Sequence, residues 1–154
     1  MLRIGAEAWR AMTDHCLAVA PEEACGILVG RREGGEPVVL LAAACRNAYP
    51  GDRRKHFLID PEQQIEVQRA AREAGLEILG FYHSHHNGSA QFSEEDRRQA
   101  HPYVSHVILA LREGALAEVR SWRIGAGGAA EEEPVVAGDV TGPARAASQN
   151  ADGC

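Results

Sequence analysis

A histidine motif at the end of an apolar segment places the strongest constraint on the fold of this chain. The apolar residues 78–82 lead directly into His83, Ser84 and His85, and an apolar run of this length predicts a buried β-strand. Side chains alternate between the two faces of a strand, so His83 and His85 are predicted to share one face and Ser84 to point to the other. The fold must therefore contain a sheet in which one buried strand holds two imidazoles side by side.

A carboxylate follows these histidines at a short distance along the chain. Seven residues separate His85 from Ser93, and Asp96 lies three positions after Ser93. Two imidazoles and one carboxylate, with a position left for water, form the ligand set of an open catalytic zinc site. The same segment predicts a helix start, with Ser93 as N-cap and an acidic residue three positions later. The two interpretations are compatible, because a helix terminus can hold both side chains rigidly.

A second segment, near the N-terminus, places acidic residues before another apolar run. Glu22 and Glu23 precede residues 24–29, a predicted buried strand that ends at Gly30. This segment, together with the H-S-H-x7-S-x2-D motif, resembles the JAMM (MPN-plus) zinc metallopeptidase family. The resemblance extends from about residue 2 to about residue 124. The histidine motif is its specific part, and the glutamate segment is short.

The resemblance implies both a fold and a metal site. The fold would be mixed α/β and cytidine-deaminase-like, with helices flanking a curved central β-sheet, and the order of the predicted strands and helices agrees with this. The implied cofactor is Zn²⁺, one ion per chain. Its ligands would be His83, His85 and Asp96.

The resemblance also implies the residues that carry out the reaction. Glu23, seven residues before Gly30, would be the general acid/base, and Ser93 would assist the oxyanion. A carboxylate beside an activated water can take its proton and later deliver it to the leaving amine. Glu22 is the alternative base if the register is shifted by one residue.

The sequence departs from the family pattern next to the second histidine. The family usually has proline after that histidine and often Arg-Pro before the serine, whereas this chain has His86 and the pair Gln91-Phe92. No ligand is lost, so the catalytic interpretation stands. The loop beside the substrate channel is predicted to have a different shape. His86 is predicted to be an exposed loop histidine; the alternative is a substituted ligand or a substrate contact.

The implied function is hydrolysis of an amide or isopeptide bond. The implied partners are ubiquitin-like proteins that end in a flexible Gly-Gly tail, which in bacteria are small sulfur carriers. Such a tail is expected to bind beside the site as an added strand. Two other functions stay open: a catalytically inactive scaffold of the same fold, and metal-dependent hydrolysis of a small non-protein amide. A homodimer is compatible with the sequence.

Composition and charge argue against other classes of partner. The chain has 154 residues, 45% of them hydrophobic, which is sufficient for the core of one domain. No apolar run reaches the ~18 residues of a membrane span, and the N-terminus does not resemble a secretory signal. The net charge is −6 and the basic residues are scattered, so nucleic acid is not an expected partner.

The cysteines predict a reduced, cytoplasmic protein. Cys16, Cys25, Cys45 and Cys154 form no C-x-x-C pair, and disulfides are rare in the cytosol. Cys25 and Cys45 lie in apolar segments and are predicted to be small core residues. A cysteine nucleophile working with a histidine is the alternative.

Local patterns predict the remaining elements. The basic cluster at 53–55 belongs to a polar loop and is predicted to be solvated. Asp60 as N-cap, Pro61 in the first turn and Gly75 as the stop bracket a helix, whose inward residues are predicted to be Ile65, Val67 and Ala70. Helices are also predicted at 7–19 and 94–100, and strands at 2–4, 24–29, 37–45, 57–59, 104–111 and 116–124.

A change in composition after residue 125 predicts the end of the folded domain. Residues 126–154 are rich in Gly, Ala, Glu, Pro and Ser and have no periodic apolar pattern. We expect one domain over residues 1–125 and a flexible C-terminal tail over 126–154. Within that tail, residues 134–136 are the segment expected to dock as a short edge strand.

Overall fold

The computed structural model describes residues 1–138 and confirms a mixed α/β fold. Its elements follow one another as β1 (Leu2–Gly5), α1 (Ala6–Val19), β2 (Cys25–Glu33), β3 (Glu36–Cys45), α2 (Pro61–Glu73), β4 (Glu77–His85), α3 (Glu94–Gln99), β5 (Ser105–Arg112), β6 (Ala115–Ile124), β7 (Ala130–Glu133) and β8 (Val135–Gly138). No helix among the described residues combines the length and apolarity needed to cross a membrane.

All eight strands belong to one curled sheet. Their order is β7-β6-β5-β4-β2-β3-β1-β8. The β1–β3, β1–β8 and β4–β5 pairs are parallel and the others antiparallel. Only Pro134 separates β7 from β8 along the chain, yet these strands occupy opposite edges. One residue of extended chain spans only about 3.5 Å, so the sheet must curl until its edges nearly meet.

Helices α1 and α2 cover opposite faces of this sheet. Ala8, Met12 and Cys16 of α1 recur every fourth residue and are buried in one core cluster with Tyr82, as a helix with a single apolar stripe requires. On the other face, α2 packs against a second cluster that contains Cys25, Ile27, Val29 and Cys45. The strand β4 runs between the two clusters, so successive side chains enter different environments.

The prediction for the inward face of α2 is partly wrong. Ile65 and Ala70 are exposed, whereas Ala71 is buried and Val67 is partly buried against the second cluster. The helix starts as predicted, because Asp60 accepts a hydrogen bond from the Glu62 backbone N–H at 3.1 Å. The difference arises because only a narrow stripe of this polar helix touches the sheet.

The segment after residue 125 differs in part from the prediction: the edge strand expected at 134–136 is present as β8, whereas β7 was not expected. Residues 130–138 form β7 and β8 and complete both edges of the sheet, while residues 139–154 of the predicted tail lie outside the described part. Three consecutive glutamates hid β7 from pattern analysis. They are accommodated because Arg120 of β6 forms an ion pair with Glu132 at 2.7 Å and Ser121 donates to Glu133 at 2.8 Å. The predicted strand at 57–59 is reduced to one bridge, between Asn47 and Ile59.

Deletion of residues 127–154 should therefore destabilise the protein. It removes both edge strands and the hydrogen bond from the Leu2 N–H to the Pro134 carbonyl, 2.8 Å long. We expect Tm to fall by more than about 5 °C, because the backbone of β1 loses β8, one of its two partner strands. Deletion of residues 139–154 alone retains β7 and β8 and is the matched control. Equal Tm values for the two truncated chains would contradict the stabilising role of these strands.

Candidate metal centre and active site

The end of β4 holds the two predicted histidine ligands on one face. His83 is paired with Cys25 of β2 and with Ile108 of β5, so hydrogen bonds on both sides hold its backbone. The Nε2 atoms of His83 and His85 are 3.1 Å apart. Ser84 points to the other face, where its Oγ accepts a hydrogen bond from the Ala24 N–H at 2.8 Å. The alternation predicted from the sequence is present.

Asp96 reaches the histidines from the first turn of α3. Ser93 is the N-cap: its Oγ accepts the Asp96 N–H at 3.0 Å, and its own N–H donates to Asp96 Oδ2 at 3.0 Å. This reciprocal capping box fixes the carboxylate. Asp96 Oδ1 lies 3.0 Å from His83 Nε2, and Oδ2 lies 3.2 Å from His85 Nε2. The Asp96 side chain therefore both completes the helix cap and approaches the two histidines.

The three side chains fit a metal ion. One ligand atom from each lies within 4.8 Å of the others. Tetrahedral zinc, with Zn–N distances of about 2.0–2.1 Å, separates neighbouring ligand atoms by about 3.3 Å, close to the distances seen here. His85 Nδ1 donates to the Ser89 carbonyl at 3.0 Å, so Nε2 is the atom with which a neutral His85 ring would bind a metal. Such an atom beside His83 Nε2 and the Asp96 carboxylate suits a bound cation.

Electrostatics favours the metal-binding protonation states of Asp96 and His83. Burial alone would raise the pKa of Asp96, but hydrogen bonds from both histidines hold it well below its usual range. Burial lowers the pKa of His83. Burial also acts to lower the pKa of His85, but its hydrogen bond to Asp96 and the charge of that carboxylate outweigh this and raise it. An ionised Asp96 beside a neutral His83 is the form in which these residues act as ligands.

Glu23 lies beside this group, just before β2. Its backbone is fixed on both sides, because its N–H donates to the Arg53 carbonyl at 2.7 Å and its carbonyl accepts from Asn47 Nδ2 at 3.1 Å. Its side chain lines the same cavity as His85 and Ser93. Burial raises the pKa of Glu23 to about 7, so its carboxyl group can both accept and release a proton near neutral pH.

Glu22, the alternative base, is placed differently. Its side chain is 43% exposed and pairs with Arg53, with 3.3 Å between Oε1 and Nε. Glu22 does not line the cavity shared by Glu23 and His85; it lines a neighbouring one. The local geometry therefore favours Glu23.

Comparison with known families now places the chain. A family model for prokaryotic homologues of the JAB domain matches residues 5–125, which include both sequence motifs. The chain belongs to this prokaryotic JAB family. The resemblance to JAMM (MPN-plus) proteins is thereby confirmed.

Curated relatives of this JAB-family chain are peptidases. It is 32% identical over 136 residues to the CysO-cysteine peptidase of Mycobacterium tuberculosis, which covers 88% of this chain and 90% of that protein. The probable TtuB-protein conjugate cleaving protease of Thermus thermophilus is 36% identical over 94 residues, covering 61% of this chain and 60% of that protein. The desampylase of Haloferax volcanii is 32% identical over 108 residues, covering 64% of this chain and 72% of that protein. The chain is an enzyme of the JAMM peptidase type.

Solved structures agree on the fold. A protein from Desulfitobacterium hafniense matches with a TM-score of 0.78 and 29% identity, covering 89% of this chain and 92% of that one. A JAB1/MPN domain protein from Archaeoglobus fulgidus matches with a TM-score of 0.53 and 17% identity, covering 89% of this chain and 99% of that one. At that identity the second match concerns the fold alone.

His86, which stands where the family usually has proline, is not the exposed loop residue that was predicted. It is partly buried, and its Nε2 donates to the Glu22 carbonyl at 2.8 Å. Its ring therefore lies against the backbone segment that leads into Glu23. His86 is not part of the His83–His85–Asp96 group, so the alternative of a substituted ligand has no support.

Two cavities adjoin the His83–His85–Asp96 group, which we call the metal group, on different sides. The first, which we call the apolar cavity, has a volume of about 260 Å³, and three aromatic rings line it together with His83 and Asp96. The rings are those of Phe57, Phe81 and Phe92. Phe57 stacks on the His83 imidazole with 4.4 Å between centroids. The cavity is also lined by Gln64, Gln99, His101 and His106, so the His83 side of the group borders a space with both aromatic and polar walls.

The second cavity, which we call the polar cavity, has a volume of about 450 Å³. Its lining residues are Glu23, Arg54, Lys55, His85, His86, Asn87, Ser93 and Glu95. Arg54 and Lys55 belong to the basic cluster that was predicted to be merely solvated. Sequence analysis missed their proximity to the site, since the loop that carries them precedes the metal ligands by about thirty residues. The sequence signal available was the adjacent pair His56-Phe57, because two aromatic residues are unusual in so polar a segment.

The three thiols within residues 1–138 do not form an alternative nucleophile, and Cys154 lies outside the described residues. Cys16, Cys25 and Cys45 are buried, as predicted for the last two. Burial raises the pKa of Cys25 to about 12 and that of Cys45 to about 11. A thiol with such a pKa is protonated at neutral pH and unreactive.

Proposed function

We propose that this protein is a zinc-dependent peptidase that hydrolyses the amide bond after the Gly-Gly tail of a ubiquitin-like or sulfur-carrier protein. The observation that carries the proposal is the convergence of His83, His85 and Asp96 beside a buried glutamate, Glu23. The names of the curated relatives support the class of substrate, because they specify CysO-cysteine and TtuB conjugates.

Each residue of the site has a role in this reaction. His83, His85 and Asp96 would hold zinc, which supplies Lewis acidity that activates water near neutral pH and polarises a carbonyl. Glu23 takes a proton from the attacking water and delivers it to the leaving amine. Its pKa of about 7 suits both steps, since the same group must act as base and then as acid.

Ser93 is proposed to stabilise the oxyanion. Its Oγ accepts the Asp96 N–H, so its hydroxyl hydrogen remains available to donate toward the polar cavity that it lines. A positioned donor of this kind stabilises the charge that develops on a carbonyl oxygen during attack.

Ser93→Ala should separate this role from helix capping. We expect the variant to retain metal and to lose roughly 10- to 10³-fold in kcat, with a stability loss of about 1 kcal/mol from the missing cap. Metal content, kcat and Tm should be measured together, with Ser89→Ala as a control at a nearby serine. A lower Tm with unchanged kcat would restrict Ser93 to capping.

The other two functions have less support. An inactive scaffold has no need of three convergent ligand atoms or of a buried carboxyl group beside them. A small non-protein amide would not require the apolar cavity that extends from His83 past three phenylalanines.

Hydrolysis of the adduct CysO–cysteine tests the proposed function. The purified protein should contain close to one zinc per chain and release free cysteine. A chelator should abolish the reaction and added zinc should restore it. Full activity after verified removal of metal would disprove the metal mechanism. No hydrolysis by the zinc-loaded protein of this adduct or of a TtuB conjugate would disprove the substrate class.

A further inference from the structure

The position of Glu23 orients the substrate across the metal group. A general acid must lie within hydrogen-bond reach of the nitrogen that it protonates. Glu23 does not line the apolar cavity; it lines the polar cavity, together with His85, and a third cavity that none of His83, His85 and Asp96 lines. Under the proposed function, the leaving amine therefore enters the polar cavity, and the carrier approaches the metal group along the apolar cavity.

Charge in the polar cavity indicates which leaving groups fit. Two cations, Arg54 and Lys55, line it together with Glu23 and Glu95. Glu95 is engaged by His56, with 2.7 Å between Oε2 and Nδ1. Arg54 is held by Asp52, with 3.0 Å between Nε and Oδ1. Lys55 is exposed and lines the cavity, and none of the ion pairs found within residues 1–138 involves its ammonium, so this cation is available to an anion in the cavity.

A single amino acid released from a carrier has its carboxylate next to the departing nitrogen. Only the α-carbon separates the two groups, so a carboxylate enters the polar cavity with the amine that Glu23 protonates. In an isopeptide the departing ε-nitrogen carries four methylenes, and no carboxylate is close to it. A cation near Glu23 therefore discriminates between these two leaving groups.

We propose that the polar cavity binds the free α-carboxylate of a single leaving amino acid through Lys55, which makes the enzyme selective for carrier–amino-acid adducts over isopeptide conjugates. This inference rests on the proposed function and names the substrate class within it. Water adds across the amide bond, so the products are the carrier carboxylate and a free amino acid. Lys55 is a specificity-determining residue and takes no part in proton transfer.

Three substrates and two variants test the inference. The substrates are CysO–cysteine, the same adduct with a carboxamide in place of the terminal carboxylate, and CysO joined to the ε-amine of Nα-acetyl-lysine amide. Lys55→Met keeps the length of the side chain and removes its charge. Arg98→Met is the control, because Arg98 is an exposed cation on α3 that lines neither cavity.

For Lys55→Met we expect KM for CysO–cysteine to rise roughly 2- to 5-fold, the upper part of the range for a contact with an exposed charge. Its kcat/KM on the carboxamide should equal that of the wild type, and Arg98→Met should match the wild type on every substrate. Equal sensitivity of the acid and the carboxamide to Lys55→Met, or cleavage of the isopeptide as fast as CysO–cysteine, would overturn the inference and leave the proposed function intact. A zinc-loaded wild type that cleaves none of the three would overturn the proposed function and this inference with it.

Discussion

Asp96→Ala should abolish hydrolysis and remove the bound metal at the same time. The carboxylate contacts both histidines, at 3.0 and 3.2 Å, and without it two neutral imidazoles are left to hold a doubly charged ion. Loss of one ligand weakens binding and leaves the nucleophilic water without activation. Metal content and kcat should fall together, and His83→Ala and His85→Ala should behave in the same way.

The Asp96→Ala experiment must distinguish the loss of a helix cap from the loss of a metal ligand. Asp96 is also the third residue of α3 and accepts the Ser93 N–H, so its removal weakens the helix start. Glu94→Ala, at an exposed position of the same first turn, is the matched control and should retain metal and activity. An Asp96→Ala protein that keeps its full metal content would contradict the assignment of this residue as a ligand.

Glu23→Gln should retain metal and substrate binding and lose turnover by roughly 10²- to 10⁴-fold, the usual contribution of a general acid/base. Glutamine preserves the size and hydrogen-bonding capacity of the side chain but cannot accept the proton from water. The backbone contacts that hold residue 23, from Asn47 and to Arg53, involve main-chain atoms and survive the substitution. Metal content, KM and kcat measured together distinguish this outcome from a loss of folding.

Glu22→Gln is the matched control for that experiment. Glu22 is a neighbouring carboxylate of the same chemistry, but it is half-exposed and paired with Arg53. We expect turnover close to that of the wild type. Near-normal turnover in Glu23→Gln with collapse in Glu22→Gln would reverse the assignment of the base.

The parts of this site that could be predicted from sequence are those that depend on neighbouring residues. Alternation along one strand places His83 and His85 on a common face, and the capping pattern from Ser93 to Asp96 sets the start of α3. Both features are determined by a few adjacent residues and do not depend on contacts with the rest of the chain. The same is true of α2, whose start at Asp60 and stop at Gly75 lie in local signals, with Gly75 at a positive φ of 74°.

The residues that surround the metal group depend on tertiary structure. Glu23 lies sixty residues before His83 and reaches the site because β2 pairs directly with β4. The loop at 46–59 enters the site because it connects β3, the other neighbour of β2, to α2. Pairing of this kind depends on the whole sheet, so the aromatic pair at 56–57 could mark this loop as unusual, but the cavity contact of Lys55 and the stacking of Phe57 on His83 could not be predicted locally.

The edges of the sheet and the inward face of α2 also show which features local sequence can predict and which depend on tertiary contacts. β7 has a polar sequence because one side of an edge strand faces solvent and Arg120 neutralises Glu132, so apolar periodicity could not reveal it. α2 contacts the sheet through Val67 and Ala71, which pack against the second core cluster. Short-range patterns in the sequence determine each element and the ligands carried on it, whereas strand pairing and curvature, which sum contacts over the whole chain, decide which elements meet at the metal group.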